Sequence, residues 1–470
     1  MPNTLPNLDA VLSRLDRELP ASLDRLKSLI AIPSISTDPA FAVDCRRAAE
    51  WLAADLQTIG FSASVRDTTG HPMVVGHMKG PEGAPHVLFY GHYDVQPVDP
   101  LELWASPPFQ SDVVDTPNGP IITGRGAADD KGQLMTFVEA CRAWKAEHGG
   151  LPISVTVLFE GEEENSSPSL KPFLEANAAE LTADAAFVCD TNMWDGETPS
   201  ISTGLRGLVG EEVTITAADR DLHSGYFGGA AANPIHILSS ILAAMHDETG
   251  RVTIPGFYEG VTETPDEIKA MWAGLGRSDE AFLGEVGLSI PSGEKGRPVL
   301  ELTWARPTAE VNGISGGYTG TGFKTVIASQ ANAKVSFRLV GNQNPNAISA
   351  AFRDFVRARV PADCSASFAS HGASPAIHLD YDSPMLRTAS AVLTEEWGKP
   401  AAMIGMGGSI PIVGDFQSML GMPSLLVGFG LADDRIHSPN EKYALKSFAK
   451  GQRSWARLIG AFADRRALKG

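Results

Sequence analysis

The chain has 470 residues, of which 43% are hydrophobic and 20% are charged, a balance typical of globular proteins and not of disordered, collagenous or coiled-coil chains. At roughly 150 residues per domain, this length predicts two or three domains. Lys and Arg number 38 against 56 Asp and Glu, and the formal net charge is −18. A nucleic acid is therefore an unfavourable partner, because binding a polyanion needs a basic face.

The N-terminal residues and the cysteines bear on location. Residues 1–20 carry scattered charges without a continuous apolar core, and no apolar run reaches the roughly 18 residues of a membrane span, so we expect neither a signal peptide nor membrane association. The four cysteines are far apart and form no CxxC pair, which is typical of reduced, buried thiols. We therefore predict a cytoplasmic protein.

Both ends of the chain alternate predicted helices with short apolar strands. Residues 42–59 place apolar side chains on one helical face and stop at Gly60, and residues 130–144 predict a second helix. Buried strands joined by helices predict an α/β fold with a mostly parallel sheet flanked by helices. The predicted strands are HVLFYGH (86–92), ISVTVLF (153–159), AAFVCD (185–190) and PSLLVGFG (423–430).

The middle of the chain has a different pattern. Residues 210–219 and 333–340 alternate apolar with polar side chains, as half-exposed antiparallel strands do. The Asn-Pro pair at 233–234 fits the start of a helix that Gly250 is expected to end, and another helix is expected over about 346–359. This change of pattern predicts a second, inserted α+β domain.

Acidic and histidine side chains follow the predicted strands at the point where each strand ends. Open parallel sheets bind ligands at the carboxyl ends of their strands, so these side chains are expected to lie close together. His92 and Asp94 are two residues apart in extended chain and therefore point the same way. The whole set is His92, Asp94, Asp129, Asp130, Glu163, Glu164, Asp190 and His437.

Six carboxylates in one crevice would repel one another strongly, so a cation is expected among them. Two imidazoles with several carboxylates suit zinc, or manganese because the set is rich in oxygen. Three ligating carboxylates and one hydroxide would balance the charge of two divalent ions, an arrangement known in hydrolysis. Each motif alone is more often a surface or capping feature, and only their coincidence at corresponding strand ends favours a metal site.

The chain resembles the co-catalytic dizinc peptidases of the carnosinase and cytosolic non-specific dipeptidase type. More distant relatives are aminoacylase, acetylornithine deacetylase and succinyl-diaminopimelate desuccinylase. The resemblance runs from about residue 80 to 443 and implies a metal-binding catalytic domain (1–206 and 383–470) interrupted by a lid domain (207–382) that dimerises. It rests on seven motifs in the family's order: GHYDVQP, GRGAADDKG, EGEEEN, DLHSG, SFRLVGN, GGSIP and IHSPNEK.

The resemblance implies a ligand set for two divalent metal ions. Asp129 would bridge them, His92 and Asp190 would complete one site, and Glu164 and His437 would complete the other. Zinc is the expected ion, with manganese or cobalt as alternatives.

The resemblance also implies two supporting roles beside the metals. Asp94 would orient the His92 ring. Glu163 would be the general base that takes a proton from the metal-bridged water and passes it to the leaving amine. Because three glutamates are adjacent, the register depends on the Glu-Gly pair before them, and Glu162 is the alternative base.

In the lid, His223 would reach the partner chain's metal site and stabilise the oxyanion, with a structural histidine as the alternative. Arg338 would bind a substrate carboxylate through its guanidinium fork, with a plain strand-surface arginine as the alternative. Thr325, Asn312 and Ser409 occupy matching substrate-contact positions.

One position departs from the family pattern. Met406 stands before Gly-Gly-Ser where these dipeptidases usually have a glutamate, which could help to hold a free amino group. We predict a metal-dependent hydrolase of dipeptides or dipeptide-like amides, and Met406 raises the alternative of an N-acyl amino acid deacylase. A non-catalytic dimeric binding protein is a third hypothesis, which the full ligand set disfavours.

Overall fold

The structure, a computed structural model, describes residues 7–407 and 411–468. The chain divides into two compact units. The first comprises Met1–Ser202, Leu379–Ile404 and Asp415–Gly470, and the second comprises Thr203–His378 and Gly405–Gly414. In the described ranges, no helix is both long enough and apolar enough to cross a membrane.

The chain begins with the helices and strands that build most of the first unit. In chain order they are α1 (Leu8–Ile30), α2 (Ala42–Ile59), β1 (Ser62–Arg66), β2 (Met73–Met78), β3 (His86–His92), β4 (Val113–Val114), β5 (Ile121–Thr123), α3 (Lys131–His148), β6 (Ser154–Glu160), α4 (Leu170–Leu181), β7 (Ala185–Val188) and β8 (Ser200–Leu205).

The next stretch forms the second unit. Its elements are β9 (Gly207–Thr216), β10 (Leu222–His223), α5 (Ser224–Phe227), α6 (Pro234–Ala243), α7 (Asp266–Gly274), α8 (Asp279–Gly284), α9 (Val299–Trp304), β11 (Thr308–Gly316), β12 (Val326–Ile327), β13 (Gln330–Leu339), α10 (Pro345–Arg357), β14 (Ser365–Ser374) and β15 (Ile377–His378).

The C-terminal stretch belongs largely to the first unit. Its elements are α11 (Pro384–Trp397), β16 (Ala402–Met406), α12 (Pro411–Leu420), β17 (Ser424–Leu426), β18 (Lys442–Ala444) and α13 (Leu445–Ala461).

The first unit is built on a twisted central sheet in the order β1-β2-β6-β3-β7-β17-β8. The four strands β6, β3, β7 and β17 run parallel, whereas the flanking pairs β1–β2, β2–β6 and β17–β8 are antiparallel. The four apolar segments predicted as strands are these four parallel strands, and the predicted helix over 42–59 is α2. The predicted α/β fold with a mostly parallel central sheet is confirmed.

Helix α3 is buried over most of its surface because it packs against the sheet on one side and against α1 and α13 on the other. Its Phe137 stacks on Phe89 of β3 with the ring centroids 3.8 Å apart, and Trp455 of α13 meets both rings edge-on. Truncating one of these buried rings to alanine typically costs about 3–5 kcal/mol. This packing fixes the strand that carries His92 and the helix that follows Asp129.

A small sheet joins the two ends of the first unit. Strand β18 pairs with β5, and β5 pairs with β4, all antiparallel. The register matches Lys442 to Thr123, so the segment after His437 lies beside the segment before Asp129, although they are far apart in the sequence.

The second unit contains an antiparallel sheet in the order β11-β13-β9-β14, with α6 and α10 packed on one face. Its strands alternate buried and more exposed residues, as the sequence predicts for 210–219 and 333–340. Val213, Phe337 and Phe352 lie in the core between the sheet and the helices.

Helix α6 begins as predicted but ends earlier than predicted. The Asn233 side chain accepts a hydrogen bond from the Ile235 N–H, as an N-cap does, yet the helix stops at Ala243 and does not continue to Gly250. The Asp247 side chain accepts hydrogen bonds from the N–H groups of Thr249 and Arg251, and Gly250 has a φ of 78°. Gly250 is therefore a turn residue and not the end of the helix.

Candidate metal centre

The parallel strands of the first unit deliver the predicted residues to one edge of the sheet. Strand β3 ends at His92, which pairs in register with Glu160 at the end of β6, and Asp190 follows β7 by two residues. Glu163 and Glu164 lie in a short 3-10 turn directly after β6. Because these strands are parallel, their carboxyl ends lie side by side.

Two groups of potential metal ligands share one carboxylate. The first group is His92, Asp129 and Asp190, and the second is Asp129, Glu164 and His437; within each group the ligand atoms lie within 4.8 Å of one another.

Asp129 uses a different oxygen toward each histidine. Its Oδ1 lies 3.0 Å from Nε2 of His92, and its Oδ2 lies 3.0 Å from Nε2 of His437. Glu164 Oε2 is 3.2 Å from the same His437 nitrogen, and Asp190 Oδ2 is 4.0 Å from His92 Nε2. A carboxylate that faces two imidazoles in this way could serve two metal ions at once, and the mixed N and O donor set suits zinc, as well as more oxygen-seeking ions such as manganese.

The two histidines of this cluster interact with its carboxylates and offset part of their negative charge. Burial alone would lower the pKa of His92, but hydrogen bonds to Asp129 and Asp94 raise it well above its usual value. Hydrogen bonds to Asp129 and Glu164 raise the pKa of His437 to about 10. Burial and the nearby charge of Asp129 raise the pKa of Asp190. The carboxylates of the donor set therefore favour positive charge beside them, which divalent ions would supply.

Asp94 connects the first metal group to the turn after β6. It is fully buried, and its Oδ1 lies 3.4 Å from Nδ1 of His92. The two carboxylate oxygens accept hydrogen bonds from the N–H groups of Glu163 and Glu164 at 3.2 and 3.0 Å. Asp94 thus fixes the turn that carries Glu163 and Glu164, and it lies beside the ring of His92.

The neighbouring glutamates Glu162 and Glu163 have different surroundings. The Glu162 carboxylate is buried and accepts hydrogen bonds from the N–H groups of His71 and Ser169. Burial and the charges of Glu164 and Asp129 raise the pKa of Glu163, against an opposing effect of His92. A carboxyl with a raised pKa beside a metal site suits a general base.

Glu441 is an important residue that sequence reasoning missed. It is fully buried, and its carboxylate accepts hydrogen bonds from the N–H groups of Gly126, Ala128 and Asp129 at 3.0–3.1 Å. Arg125 donates to the same carboxylate at 2.8 Å. Glu441 therefore holds the backbone of the loop that presents Asp129. Glu441 lies within the IHSPNEK motif, and this position is the only signal in the sequence that could have indicated its role.

Two further features of this centre were not predicted. Gln96 donates a hydrogen bond from Nε2 to Glu164 Oε2 at 2.7 Å, which orients that carboxylate. His437 has a φ of 59°, a left-handed conformation that costs a non-glycine residue about 1–3 kcal/mol and is typical of functional sites.

The remaining predicted residues, apart from Ser409, belong to the second unit. In the second unit, His223 of β10 pairs with Val326 of β12, so it lies near Thr325, whose carbonyl accepts a hydrogen bond from the Ser224 N–H. Asn312 is exposed at a bulge of β11, and Arg338 lies on β13 opposite Thr308. Ser409 lies outside the described residues.

Comparison with known proteins agrees with this fold. The sequence model of Peptidase family M20/M25/M40 matches residues 88–461. A Cys-Gly metallodipeptidase of Schizosaccharomyces pombe is 29% identical over 97% of this chain and 99% of its own length. The human Beta-Ala-His dipeptidase is 27% identical over 96% of this chain and 91% of its own length.

A solved structure gives the same result. The M20 family metallo-carboxypeptidase Sso-CP2 from Sulfolobus solfataricus has a TM-score of 0.77 and 27% identity, and the match covers 94% of this chain and 99% of the other. An α/β sheet with clustered histidines and carboxylates at its carboxyl edge is typical of metal-dependent hydrolases. This chain belongs to Peptidase family M20/M25/M40, and the resemblance seen in its sequence is confirmed.

Proposed function

We propose that this protein is a dipeptidase that holds two divalent metal ions, zinc being the first choice, and cleaves the amide bond of dipeptides or dipeptide-like small substrates. The single observation that carries the proposal is the sharing of Asp129 between two histidine-containing ligand groups. The two dipeptidases it is similar to along nearly their whole length support the substrate class.

Each residue of the centre then has a task. Asp129 would offer a ligand to both metal ions, His92 and Asp190 would complete one set of ligands, and Glu164 and His437 would complete the other. When bound, the metal pair supplies Lewis-acid polarisation of the scissile carbonyl and lowers the pKa of a bound water.

The protons are moved by the protein's own carboxylate. Glu163 accepts a proton from the attacking water and delivers it to the leaving amine, while Asp94 keeps the His92 ring in position. The engagement of Glu162 with two backbone N–H groups supports Glu163, and not Glu162, as the base.

The second unit is proposed to be the lid and dimerisation domain, with the predicted bounds 207–382. His223 is proposed to stabilise the oxyanion in the partner chain's site, and Arg338, Thr325, Asn312 and Ser409 to contact substrate. Support comes from apolar side chains left exposed in this unit: Tyr226 is 82% exposed and Ile314 on the edge strand β11 is 58% exposed. Exposed apolar residues on an unpaired sheet edge are typical of a surface that pairs with a second copy.

A second candidate function, N-acyl amino acid hydrolysis, is favoured by one observation. Met406, half-buried at the end of β16, places an apolar side chain where a carboxylate could have held a free amino group. An acyl-blocked amine has no charge to neutralise, so it tolerates this change better than an ammonium group does.

The cysteines support a reducing compartment, and we place the protein in the cytoplasm. Cys45, Cys141, Cys189 and Cys364 are all free, and the first three are buried.

The test is a panel of free dipeptides and N-acyl amino acids, assayed after chelation and after return of zinc, manganese or cobalt. Release of amino acids from free dipeptides that stops with chelator and returns with metal is the expected result. Activity confined to N-acyl amino acids would replace dipeptide hydrolysis by deacylation, and no metal-restored hydrolysis of either class would contradict the proposal.

A further inference from the structure

Two arginines of the second unit lie together at the start of its sheet. Arg206 is the single residue between β8 and β9, and Arg338 on β13 pairs with Leu208 of β9. Side chains alternate along a strand, so Arg206 and Leu208 face the same side, and Arg206 is the diagonal neighbour of Arg338 on that face. The two guanidinium groups are close enough for each to repel the other.

Neither guanidinium has an anionic partner among the described residues. Arg206 is half-buried, its Nε is completely buried without a hydrogen-bond partner, and no described carboxylate forms an ion pair with Arg206 or Arg338. Other arginines of this unit behave differently. Arg306 is paired with Glu263 and Glu294, and Arg353 is paired with the buried Glu211.

The electrostatics of Arg206 agree with the proximity of the two guanidinium groups. Burial, followed by the charge of Arg338, lowers the pKa of Arg206 to about 10, and Glu310 on β11 opposes that change. Two like charges held together at a partly buried position cost stability unless an anion joins them. Although Glu310 forms no ion pair with either arginine, counting its charge with theirs leaves a net charge of +1, which a monoanion balances and a phosphate dianion overshoots.

The main chain at Gly407 passes close to Arg206. A Cβ atom at position 407 would lie 3.2 Å from Nη2 of Arg206, so Gly407 lets the main chain approach this guanidinium without a side chain between them. Gly407 opens the GGSIP motif, which carries the predicted substrate contact Ser409.

We propose that Arg206 and Arg338 together bind the terminal carboxylate of the substrate. In this site Arg206 is a further carboxylate-binding residue besides Arg338, and it determines specificity for substrates with a free terminal carboxylate. A planar carboxylate has enough lone pairs to accept hydrogen bonds from both guanidinium forks. The inference rests on the proposed hydrolysis of dipeptides, because it assigns where their terminal carboxylate binds.

The kinetic test compares a dipeptide with its C-terminal amide in the metal-loaded enzyme. Arg206→Gln should raise KM for the free dipeptide about 10- to 100-fold, the typical loss for a charge-assisted hydrogen bond, and leave kcat nearly unchanged. Hydrolysis of the amide should not respond to the substitution. Arg206→Lys keeps the positive charge but loses the guanidinium fork. Its KM for the free dipeptide should therefore lie between those of the unaltered enzyme and Arg206→Gln.

Lys334→Gln is the matched control, because it removes one positive charge from an exposed position on the same strand and face as Arg338. Its KM should equal that of the unaltered enzyme. An equal rise of KM for the dipeptide and its amide, a rise in the Lys334→Gln variant, or no rise in Arg206→Gln would each overturn the proposal.

A binding test separates this inference from the proposed function. N-acetylglycine, but not the neutral N-acetylglycinamide, should raise the melting temperature of the unaltered protein, and Arg206→Gln should abolish the rise. If the enzyme cleaves no dipeptide, the proposed function fails, but the change in melting temperature still shows whether the arginine pair binds a carboxylate. Larger stabilisation by inorganic phosphate than by N-acetylglycine would overturn the assignment to a carboxylate.

Discussion

At the scale of single residues, the adjacent glutamates after β6 differ in what they contact. The Glu162 carboxylate accepts hydrogen bonds from two backbone N–H groups, whereas the Glu163 carboxylate accepts none from the described residues and lies beside the ligand cluster. Sequence alone assigns the base only through the register of EGEEEN, because three identical side chains are distinguished by the turn that follows β6 and not by their chemistry.

Replacing the proposed base should stop turnover without removing the metals. Glu163→Gln is expected to lower kcat by about 100- to 10,000-fold, because proton transfer in the transition state is lost. Elemental analysis should find the same metal content as in the unaltered enzyme.

Glu162→Gln is the control for this substitution. It should melt at a lower temperature, because one buried N–H loses its charged acceptor, yet keep most of its turnover. The reverse pattern, with an active Glu163→Gln and an inactive Glu162→Gln, would move the base to Glu162.

The clustering of the candidate ligand residues was predictable for a simple reason. His92, Glu164 and Asp190 lie at or just after the ends of buried strands, where both the strand and its end can be read from local sequence. The role of Glu441 was not predictable in this way. Its hydrogen-bond partners lie more than 300 residues away, so only the folded chain brings them together.

At the scale of elements, strands and helices with continuous apolar patterns were predicted well, and turns were not. Helix α2 matches its predicted range, whereas α6 ends at Ala243 because the Asp247 side chain binds nearby backbone N–H groups in a turn. Local apolar content does not reveal such competition between a side chain and the helix backbone.

The loop from Gly124 to Asp130 depends on an element from the other end of the chain, because Glu441 precedes β18. Glu441→Ala should therefore lower both stability and metal affinity. Loss of one partner of a buried ion pair typically costs about 3–5 kcal/mol, and loss of a group that supports a ligand lowers metal affinity about 10- to 100-fold. Denaturant unfolding and a metal titration measure the two effects.

A suitable comparison is Glu396→Ala in the same unit. Glu396 is also buried and pairs with Arg453 and Arg457, and it belongs to neither metal group. This variant should lose stability and keep its metal affinity. Equal losses of metal affinity in both variants would show that Glu441 acts through general stability alone.

At the scale of the whole molecule, the metal ions are expected to contribute to stability. Chelation should lower the melting temperature, because ions that bind only the folded protein stabilise it. The difference should shrink as the pH falls, since raised pKa values of His92 and His437 let protons compete with the metals for the imidazoles. A melting temperature unchanged after verified metal removal would contradict the proposed centre.

The proposed dimer makes a further prediction, because a site shared between chains can be repaired by mixing. Glu163→Ala and His223→Ala should each be inactive, since losing an oxyanion donor typically costs about 2.7–4 kcal/mol. In the mixed dimer, one site combines an intact Glu163 with an intact His223 from its partner, so activity should reappear.

Subunit exchange must be verified independently, for example by mass spectrometry of the intact dimer. If His223 served its own chain, each site of the mixed dimer would retain one defect and no activity would return. Exchange without recovered activity would therefore exclude the shared site and leave the metal chemistry unaffected.

The order in which the ribosome makes this chain determines when the metal centre can form. His92, Asp129 and Asp190 emerge first, but His437 and Glu441 emerge only after the entire second unit has been translated. Until then the Asp129 loop lacks the carboxylate that holds its backbone, and the second ligand group lacks its histidine. Under the proposed mechanism, a chain that stops before these residues lacks part of both sites, and we expect it to be inactive.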